Sequence, residues 1–285
     1  MRYALRNYMA SENHPIMPIP APPYAGPGDV VSGALRWYGL RAYSLATCGT
    51  NCVRLIRASD SAQQDFVTLS NGSLDVASIA TFLASTTGKI HSLYNQSGLS
   101  RTLTQATDAS RPAFTLNALG SLPGMTFSGS QNMQNTTAEA GSNQPWSGSF
   151  VAKRTGAFTT THSIISAGDA SLCILGFESV ADLAVMFAGT GVTAAATDSA
   201  THAIQFVGNS AASVINVDGT PSTVDPGTRA WAFEATNSGW LYIGNTRVAG
   251  QPFTGILHEA GVWPGGFSGA QQTAMNANQH AYWGF

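Results

Sequence analysis

Apolar and polar residues alternate in short runs along most of the chain, and glycine, asparagine, aspartate and serine separate the runs. Residues 214–219 form one such run that ends in an Asp-Gly turn. Regularly spaced short strands with such turns favour an antiparallel sandwich over a sheet of βαβ units. The other predicted strands are 53–57, 150–153, 161–166, 172–177, 183–187, 203–207, 229–236, 239–244 and 253–263.

Two segments depart from this strand pattern and predict helices. Between about residues 75 and 85, apolar side chains recur at helical spacing and form a single face that can lie across a sandwich. Asp75 or Ser73 can cap this helix, and Gly88 can end it. A second helix is expected from Ser268 to about Tyr282, where Ser268 and Gln271 have the spacing of a capping box. The polar stretch 131–146 predicts a long loop.

Residues 1–33 differ in composition from the rest and are interpreted as an extended N-terminal arm. The segment 14–24 holds five of the chain's 13 prolines, which favours extended polyproline II structure and excludes a helix. Ile16, Met17, Ile19 and Tyr24 supply apolar side chains with which the arm could lie on a neighbouring subunit or partner. A flexible leader is the alternative. Residues 34–285 are then the sandwich domain.

The composition restricts the class of partner. Charged residues make up 10 % of the 285 residues, against about a quarter in an ordinary soluble domain. Thirteen basic and 15 acidic residues leave no electrostatic footprint for nucleic acid. No apolar run is long enough to span a membrane. Residues 1–10 lack the apolar core of a secretory signal, so we expect a protein that is made in the cytoplasm without a signal peptide.

The cysteines and histidines give no pattern for a metal or another cofactor. Cys48 and Cys52 frame a short turn, and they either form a disulfide or remain free thiols; the sequence leaves both open. Zinc is disfavoured because no second Cys/His pair lies nearby. The six histidines form no H-x-H or H-x-x-x-H pair. We therefore expect no metal site and no cofactor.

Two stretches resemble known sandwich proteins. Residues 35–127 combine a Ser59-Asp60 turn, a short helix, the turn Tyr94–Gly98 (YNQSG) and the tail Leu103–Gln105 (LTQ). This order is similar to the front half of the catalytic sandwich of fungal-type α-L-arabinofuranosidases and to segments of many bacteriophage virion proteins. Residues 217–219, 241–244 and 253–259 resemble the end of a laminin-G or concanavalin-like sandwich. The resemblance implies one curved antiparallel jelly roll.

The resemblance also implies where catalytic residues would lie. The family's nucleophilic glutamate ends a D-Y-G-N-A-E run, and here Ser171 occupies that position in 166–171. The family's acid is an aspartate in a G-D-N-S run, and here Asn245 follows Gly244. A retaining glycosidase needs two carboxylates, so we expect no catalytic residues and no enzyme activity. Structural roles are expected for the other acids in or beside predicted strands, Glu178, Asp182, Glu234 and Glu259.

Carbohydrate binding without catalysis needs exposed aromatic platforms. Trp146, in the predicted polar loop, and Trp240, beside Gly239, are the candidates for contact with a glycan or a partner. Packing anchors or a protein interface are the alternative interpretation of both tryptophans.

The arm, the low charge and the missing carboxylates fit assembly better than catalysis. The resemblance to virion segments then implies a non-enzymatic structural component of a bacteriophage virion, either a capsid decoration protein or a tail-associated protein. The expected partners are other virion proteins and further copies of the same chain, with the N-terminal arm as a tether. Two alternatives remain. One is an adhesin that recognises host-surface glycans, and the other is an arabinofuranosidase-like hydrolase.

Overall fold

The protein is an antiparallel β-sandwich with three helices among its described residues. The computed structural model describes residues 23–135, 142–143, 145–155, 162–167, 173–178, 183–188, 190–196, 198–223, 232–233, 241–246 and 250–285. The helices are α1 (Pro27–Val30), α2 (Val76–Leu83) and α3 (Gly269–Trp283), with 3-10 turns at Leu45–Thr47 and Asp108–Ser110. The strands are β1 (Arg36–Gly39), β2 (Asn51–Arg57), β3 (Gln63–Val67), β4 (Gly88–Leu93), β5 (Leu103–Thr104), β6 (Ala113–Leu119), β7 (Leu122–Ser128), β8 (Met133–Asn135), β9 (Ser142–Asn143), β10 (Trp146–Arg154), β11 (His162–Ala167), β12 (Cys173–Glu178), β13 (Leu183–Ala188), β14 (Thr190–Ala196), β15 (Thr201–Gly208), β16 (Val214–Val217), β17 (Thr220–Thr223), β18 (Ala232–Phe233), β19 (Leu241–Ile243) and β20 (Thr254–Pro264).

The strands form two facing layers. The first layer runs β1-β20-β10-β15-β16-β17. The second layer runs β3-β2-β4-β5-β8-β19-β11-β12-β13-β14. β6 and β7 connect them, because β6 pairs with β4 and β7 pairs with β20. Phe150 of the first layer contacts Phe177 of the second, with ring centroids 5.9 Å apart, so the core lies between the layers.

The two helices expected from the sequence are present with their predicted N-caps, but α2 ends at Leu83 with Ala84 as its C-cap, not at Gly88. Asp75 accepts a hydrogen bond from the backbone of Ser78 and begins α2. Ser268 and Gln271 form the predicted capping box at the start of α3. Among the described helices, none is long and apolar enough to cross a membrane. The all-β antiparallel sandwich predicted from the hydrophobic pattern is confirmed.

Two boundaries differ from the sequence prediction. The expected loop at 131–146 contains the strand Met133–Asn135, and Trp146 begins the long strand β10. In the segment interpreted as an extended arm, residues 24–33 pack on the sandwich of their own chain, and residues 27–30 form the helix α1. The Tyr24 hydroxyl donates to the carbonyl of Ala42 at 2.6 Å, and Pro27 is buried in α1. The Gly28 amide also donates to the carbonyl of Tyr43 at 2.6 Å and helps to hold this segment, which composition alone does not show.

Candidate functional site

The buried acid Glu259 is the centre of a closed hydrogen-bond network on the outer face of the first layer. Its carboxylate accepts bonds from Arg41 at 2.5 and 2.9 Å, from Gln279 at 3.0 Å and from the Trp283 indole at 2.9 Å. The side chains of Glu259 and Arg41 are both 0 % exposed. Burial works against the charged form of Arg41, but Glu259 outweighs that effect and raises the arginine's pKa. Glu259 therefore fastens α3 and Arg41 to β20 and faces no solvent.

The position that the resemblance assigns to a catalytic acid carries a structural amide. Asn245 is buried in the turn after β19, where its side-chain oxygen accepts a hydrogen bond from the Thr246 amide at 2.8 Å. Ser166 donates to the carbonyl of Asn245 at 2.9 Å and fixes the turn to β11. Ser171, at the corresponding nucleophile position, lies outside the described residues, as do Asp182, Glu234 and the side chain of Glu178.

Eight carboxylates have described side chains, and each of them accepts bonds from nearby donors. Six of the eight have a pKa held below the ordinary value of a carboxyl group. A catalytic acid needs the opposite shift, and a retaining pair needs two carboxylates about 5 Å apart. Asp198 and Asp218 contact the two ring nitrogens of the same histidine, His202, but the pKa of each carboxyl is lowered, which does not suit the role of the acid. The eight are Asp29, Asp60, Asp65, Asp75, Asp108, Asp198, Asp218 and Glu259.

The predicted glycan platform Trp146 is not on the surface. Its side chain is 0 % exposed, and it lies beneath Gly208 of β15. A Cβ atom at Gly208 would come within 2.7 Å of the indole ring, so the glycine makes room for it. The prediction of an exposed Trp146 is wrong. The polar residues before it in sequence suggested a loop, but Trp146 is the first residue of strand β10 and its ring is buried. Trp240 lies outside the described residues.

The other predicted sites are only partly described. Of the residues expected to form an assembly arm, Ile16, Met17 and Ile19 lie outside the described residues. Tyr24 packs on its own chain, with its ring edge against Tyr282 and beside the backbone of residue 72.

The two cysteines that frame the 48–52 turn are both free thiols. Cys52 is buried and its thiol donates to the carbonyl of Gly39, while the Cys48 thiol points towards Ser44. The structure therefore favours free thiols over the disulfide. Within the described residues, no group of three or more His, Cys, Asp or Glu side chains is arranged as a metal site.

A row of polar side chains crosses the outer face of the second layer. In-register pairing places seven residues side by side across seven strands, which makes the row about 29 Å long at about 4.8 Å per strand. The neighbouring residues Val53, Leu93 and Leu103 are in register with one another and point into the core, as alternation along a strand requires. We call this set the polar row: Asp65, Arg54, Ser92, Thr104, Gln134, Tyr242 and Ser166.

The polar row is accessible at one end and covered at the other. Thr104 is exposed, and Asp65, Arg54 and Gln134 are partly exposed. Tyr242 and Ser166 are buried, with Ser166 bonded to the turn at Asn245, and Ser92 in the middle of the row is buried as well. The open part of the row thus extends from β3 to β8 with an interruption at Ser92, and it presents carboxylate, guanidinium, hydroxyl and amide groups to solvent.

At the open end, Arg54, Asp65 and Tyr94 form one hydrogen-bonded cluster. Arg54 holds Asp65 with two bonds of 2.7 Å, and the Tyr94 hydroxyl donates to the same carboxylate at 2.7 Å. Arg54 lowers the pKa of Asp65. Partial burial and the bond to Asp65 raise the pKa of Tyr94 to about 12, so its hydroxyl stays protonated. The side chains of Arg54 and Asp65 are 37 % and 30 % exposed, which leaves part of each group free to meet a ligand.

The remaining charges beside the polar row are also paired. Asp108 accepts from Lys89 at 2.5 Å and from Arg111 at 3.1 Å. His91 is the extra residue of a bulge in β4, and its ring nitrogen lies 2.7 Å from the Ser92 hydroxyl. Desolvation and the nearby arginines lower the pKa of His91, so it is neutral at pH 7. The face therefore offers many hydrogen-bonding groups and little net charge.

Sequence reasoning did not find the polar row. Its members come from positions 54 to 242, and each one alone reads as an ordinary strand or loop residue. Only the pairing of β5 with β8 and of β8 with β19 brings the two halves of the chain into one row.

Comparison with solved structures places this fold beside glycoside hydrolases. A GH54 α-L-arabinofuranosidase soaked with a cyclic sulfate inhibitor aligns with a TM-score of 0.70 and 17 % identity, covering 89 % of this chain and 64 % of that protein. An arabinofuranosidase complexed with arabinofuranosyl-α-1,2-xylobiose aligns with a TM-score of 0.69, 17 % identity and the same coverages. Domain 4 of a GH43 arabinanase from Geobacillus stearothermophilus, in complex with arabinotriose, gives a TM-score of 0.46 at 16 % identity, covering 58 % of this chain and 81 % of that one.

No protein-family model and no curated protein matches the sequence. The chain spans 64 % of the length of the arabinofuranosidases that it matches. An identity of 17 % shows the fold and not the activity. The chain therefore has the β-sandwich fold of the GH54 arabinofuranosidases.

Proposed function

We propose that this protein binds a glycan on the polar row and does not hydrolyse it. The observation that carries the proposal is the open part of the row, where hydroxyl, amide and paired charged groups lie on the outer face of the sheet. Sugar hydroxyls both donate and accept hydrogen bonds, and such a face offers partners of both kinds. The fold shared with arabinofuranosidases supports carbohydrate as the ligand class.

The described carboxylates support the part of the proposal that the protein does not cleave the glycan. Glycosidic bond cleavage by double displacement needs a nucleophilic carboxylate and a protonated acid. Asn245 supplies neither, and Glu259 is enclosed by Arg41, Gln279 and Trp283. A binding protein built on a hydrolase-like sandwich agrees with both observations.

Host recognition is the form of glycan binding that we favour, in which the protein is an adhesin for cell-surface polysaccharide. The narrower assignment made from the sequence, a bacteriophage capsid decoration or tail component with homo-oligomeric assembly, stays a prediction. Co-purification of the protein with intact particles would test it.

The proposal is tested by measuring binding and hydrolysis separately. Purified protein is titrated against neutral and acidic polysaccharides by affinity electrophoresis, and p-nitrophenyl α-L-arabinofuranoside is used to detect cleavage. We expect retention by at least one polysaccharide and no release of p-nitrophenol. Thr104→Ala, on the polar row, should weaken retention by up to about tenfold, which is the value of roughly one hydrogen bond.

Thr81→Ala is the matched control, because Thr81 is an exposed threonine on α2 whose hydroxyl bonds only within its own helix. It should leave retention unchanged. Release of p-nitrophenol that one aspartate or glutamate substitution abolishes would show that the protein is a hydrolase instead.

A further inference from the structure

The Arg54–Asp65–Tyr94 cluster has the chemistry of an anchoring subsite. Arg54 uses Nε and one terminal nitrogen on Asp65, and its other terminal nitrogen makes no bond to that carboxylate. Asp65 keeps an acceptor position open on Oδ2, since Arg54 and Tyr94 share Oδ1. The Tyr94 hydroxyl donates a hydrogen bond to Asp65, and its oxygen can accept a hydrogen bond from a ligand. Adjacent donor and acceptor positions of this kind match a sugar hydroxyl.

Each charged side chain of this surface is already engaged by an opposite charge. Asp65 neutralises Arg54, and Asp108 is shared by Lys89 and Arg111, which leaves a net charge of +1 that both cations share. The carboxylate of an acidic sugar would be repelled by Asp65. Each of the three cations, Arg54, Lys89 and Arg111, already pairs with an aspartate of the protein. A neutral sugar meets no such repulsion, because it needs only hydrogen bonds.

The cluster is also ordered before any ligand arrives. Two parallel bonds fix the guanidinium plane, and the tyrosine hydroxyl fixes the carboxylate from a third direction. A preformed site loses less conformational entropy on binding than one that must assemble. Past the buried Ser92, the accessible side chains of Thr104 and Gln134 continue the row, and Gln134 lies about 19 Å from Asp65 at the usual strand spacing.

We propose that Arg54, Asp65 and Tyr94 form the anchoring subsite for an uncharged glycan segment that lies across strands β3 to β8. This inference rests on the proposed glycan binding and adds the site and the ligand class. The bound segment is several sugars long, because the open part of the polar row is longer than a single ring.

The test compares neutral and acidic oligosaccharides by isothermal titration. The neutral probes are arabino- and xylo-oligosaccharides of increasing length, and the acidic probes are oligogalacturonates. For the wild-type chain we expect binding of a neutral series only. The affinity should rise with length and then level off, and it should not change between about 0.05 and 0.5 M NaCl, where a charged contact would weaken.

Asp65→Asn gives a result that a merely structural role for Asp65 would not produce. The substitution keeps the shape of the side chain and releases Arg54 from its counter-charge. Neutral binding should fall about tenfold, because charge-assisted bonds are lost, and salt-sensitive binding of oligogalacturonate should appear. Tyr94→Phe should weaken neutral binding without this gain.

Asp60→Asn is the matched control, since it removes the carboxylate of the Arg57–Asp60 pair in the β2–β3 turn, away from the polar row. It should change neither affinity. Binding of oligogalacturonate by the wild-type chain, or neutral binding that Asp65→Asn and Tyr94→Phe leave unchanged, would overturn this inference while glycan binding stands. Failure of every oligosaccharide and polysaccharide to bind would overturn the proposed function itself.

Discussion

Replacing Glu259 by glutamine should destabilise the fold strongly and leave glycan binding by the folded protein unchanged. The carboxylate accepts four hydrogen bonds in a site with no solvent exposure, two of them from Arg41. In Glu259→Gln an NH₂ group replaces one carboxylate oxygen. This group cannot accept the two hydrogen bonds that the oxygen receives, one of which comes from Arg41. Arg41 then remains buried between Tyr282, whose ring centroid lies 4.6 Å from the guanidinium, and a neutral side chain.

The expected size of this effect follows from two routes. Loss of two hydrogen bonds to charged groups, at about 1.5–3 kcal/mol each, gives about 3–6 kcal/mol. Measured removals of one partner from a buried ion pair cost about 3–5 kcal/mol, mainly because the other charge stays buried and unpaired. The two ranges overlap, and we expect the free energy of unfolding to fall by about 3–5 kcal/mol.

Equilibrium urea unfolding followed by circular dichroism measures this difference at constant pH and salt. The double variant Arg41→Met with Glu259→Leu removes both charges and should be more stable than Glu259→Gln alone, since apolar groups of similar volume replace a buried pair at little net cost. Asp60→Asn breaks an exposed pair and should change stability little. A loss below about 1 kcal/mol for Glu259→Gln would refute the reasoning, because it would mean that Arg41 finds water or another partner.

Two further predictions concern pH and packing. Burial alone would lower the pKa of His202, but Asp218, 2.5 Å away, outweighs it and raises that pKa, while His202 holds the pKa of Asp218 below its ordinary value. The contribution of His202 to the free energy of unfolding is complete below about pH 6.5 and is lost as the pH rises through the raised pKa of the histidine. The contribution of Asp218 is complete above about pH 4 and is lost as the pH falls through the lowered pKa of the aspartate. Thermal unfolding should therefore show a stability maximum between these limits that His202→Gln flattens, and an unchanged profile in that variant would contradict the assignment. Gly208→Ala should cost about 1–3 kcal/mol by forcing a methyl group against the Trp146 indole. At Gly269 a Cβ atom would meet nothing within 4 Å, so Gly269→Ala should not lower the free energy of unfolding measured with urea. Equal losses of stability in Gly208→Ala and Gly269→Ala would refute the packing argument.

Local signals in the sequence were sufficient to predict α2, α3 and many of the strands, but not the short helix α1. Asp75 and Ser268 cap α2 and α3 as expected, because capping depends on residues within one turn of each other. The hairpin at Asp218 has the predicted Asp-Gly turn between β16 and β17. These features need no knowledge of distant parts of the chain.

Features that depend on distant contacts could not be predicted in this way. Trp146 is buried because Gly208, 62 positions later, leaves room for its ring. The polar residues that precede Trp146 in the sequence predicted instead that its side chain would be exposed. The polar row needs the register of seven strands, and Asp65 meets Arg54 only through the β2–β3 pairing. A side chain's face on a strand follows from alternation, but its neighbour on the next strand does not.

The most direct test of the account combines binding and cleavage on one sample. A neutral polysaccharide that retains the protein is incubated with it, and both the bound protein and newly formed reducing ends are measured over time. We predict retention that Asp65→Asn weakens, with no reducing ends above the level without protein. Reducing ends that increase in proportion to the protein, and that disappear in a single aspartate or glutamate variant, would contradict the account.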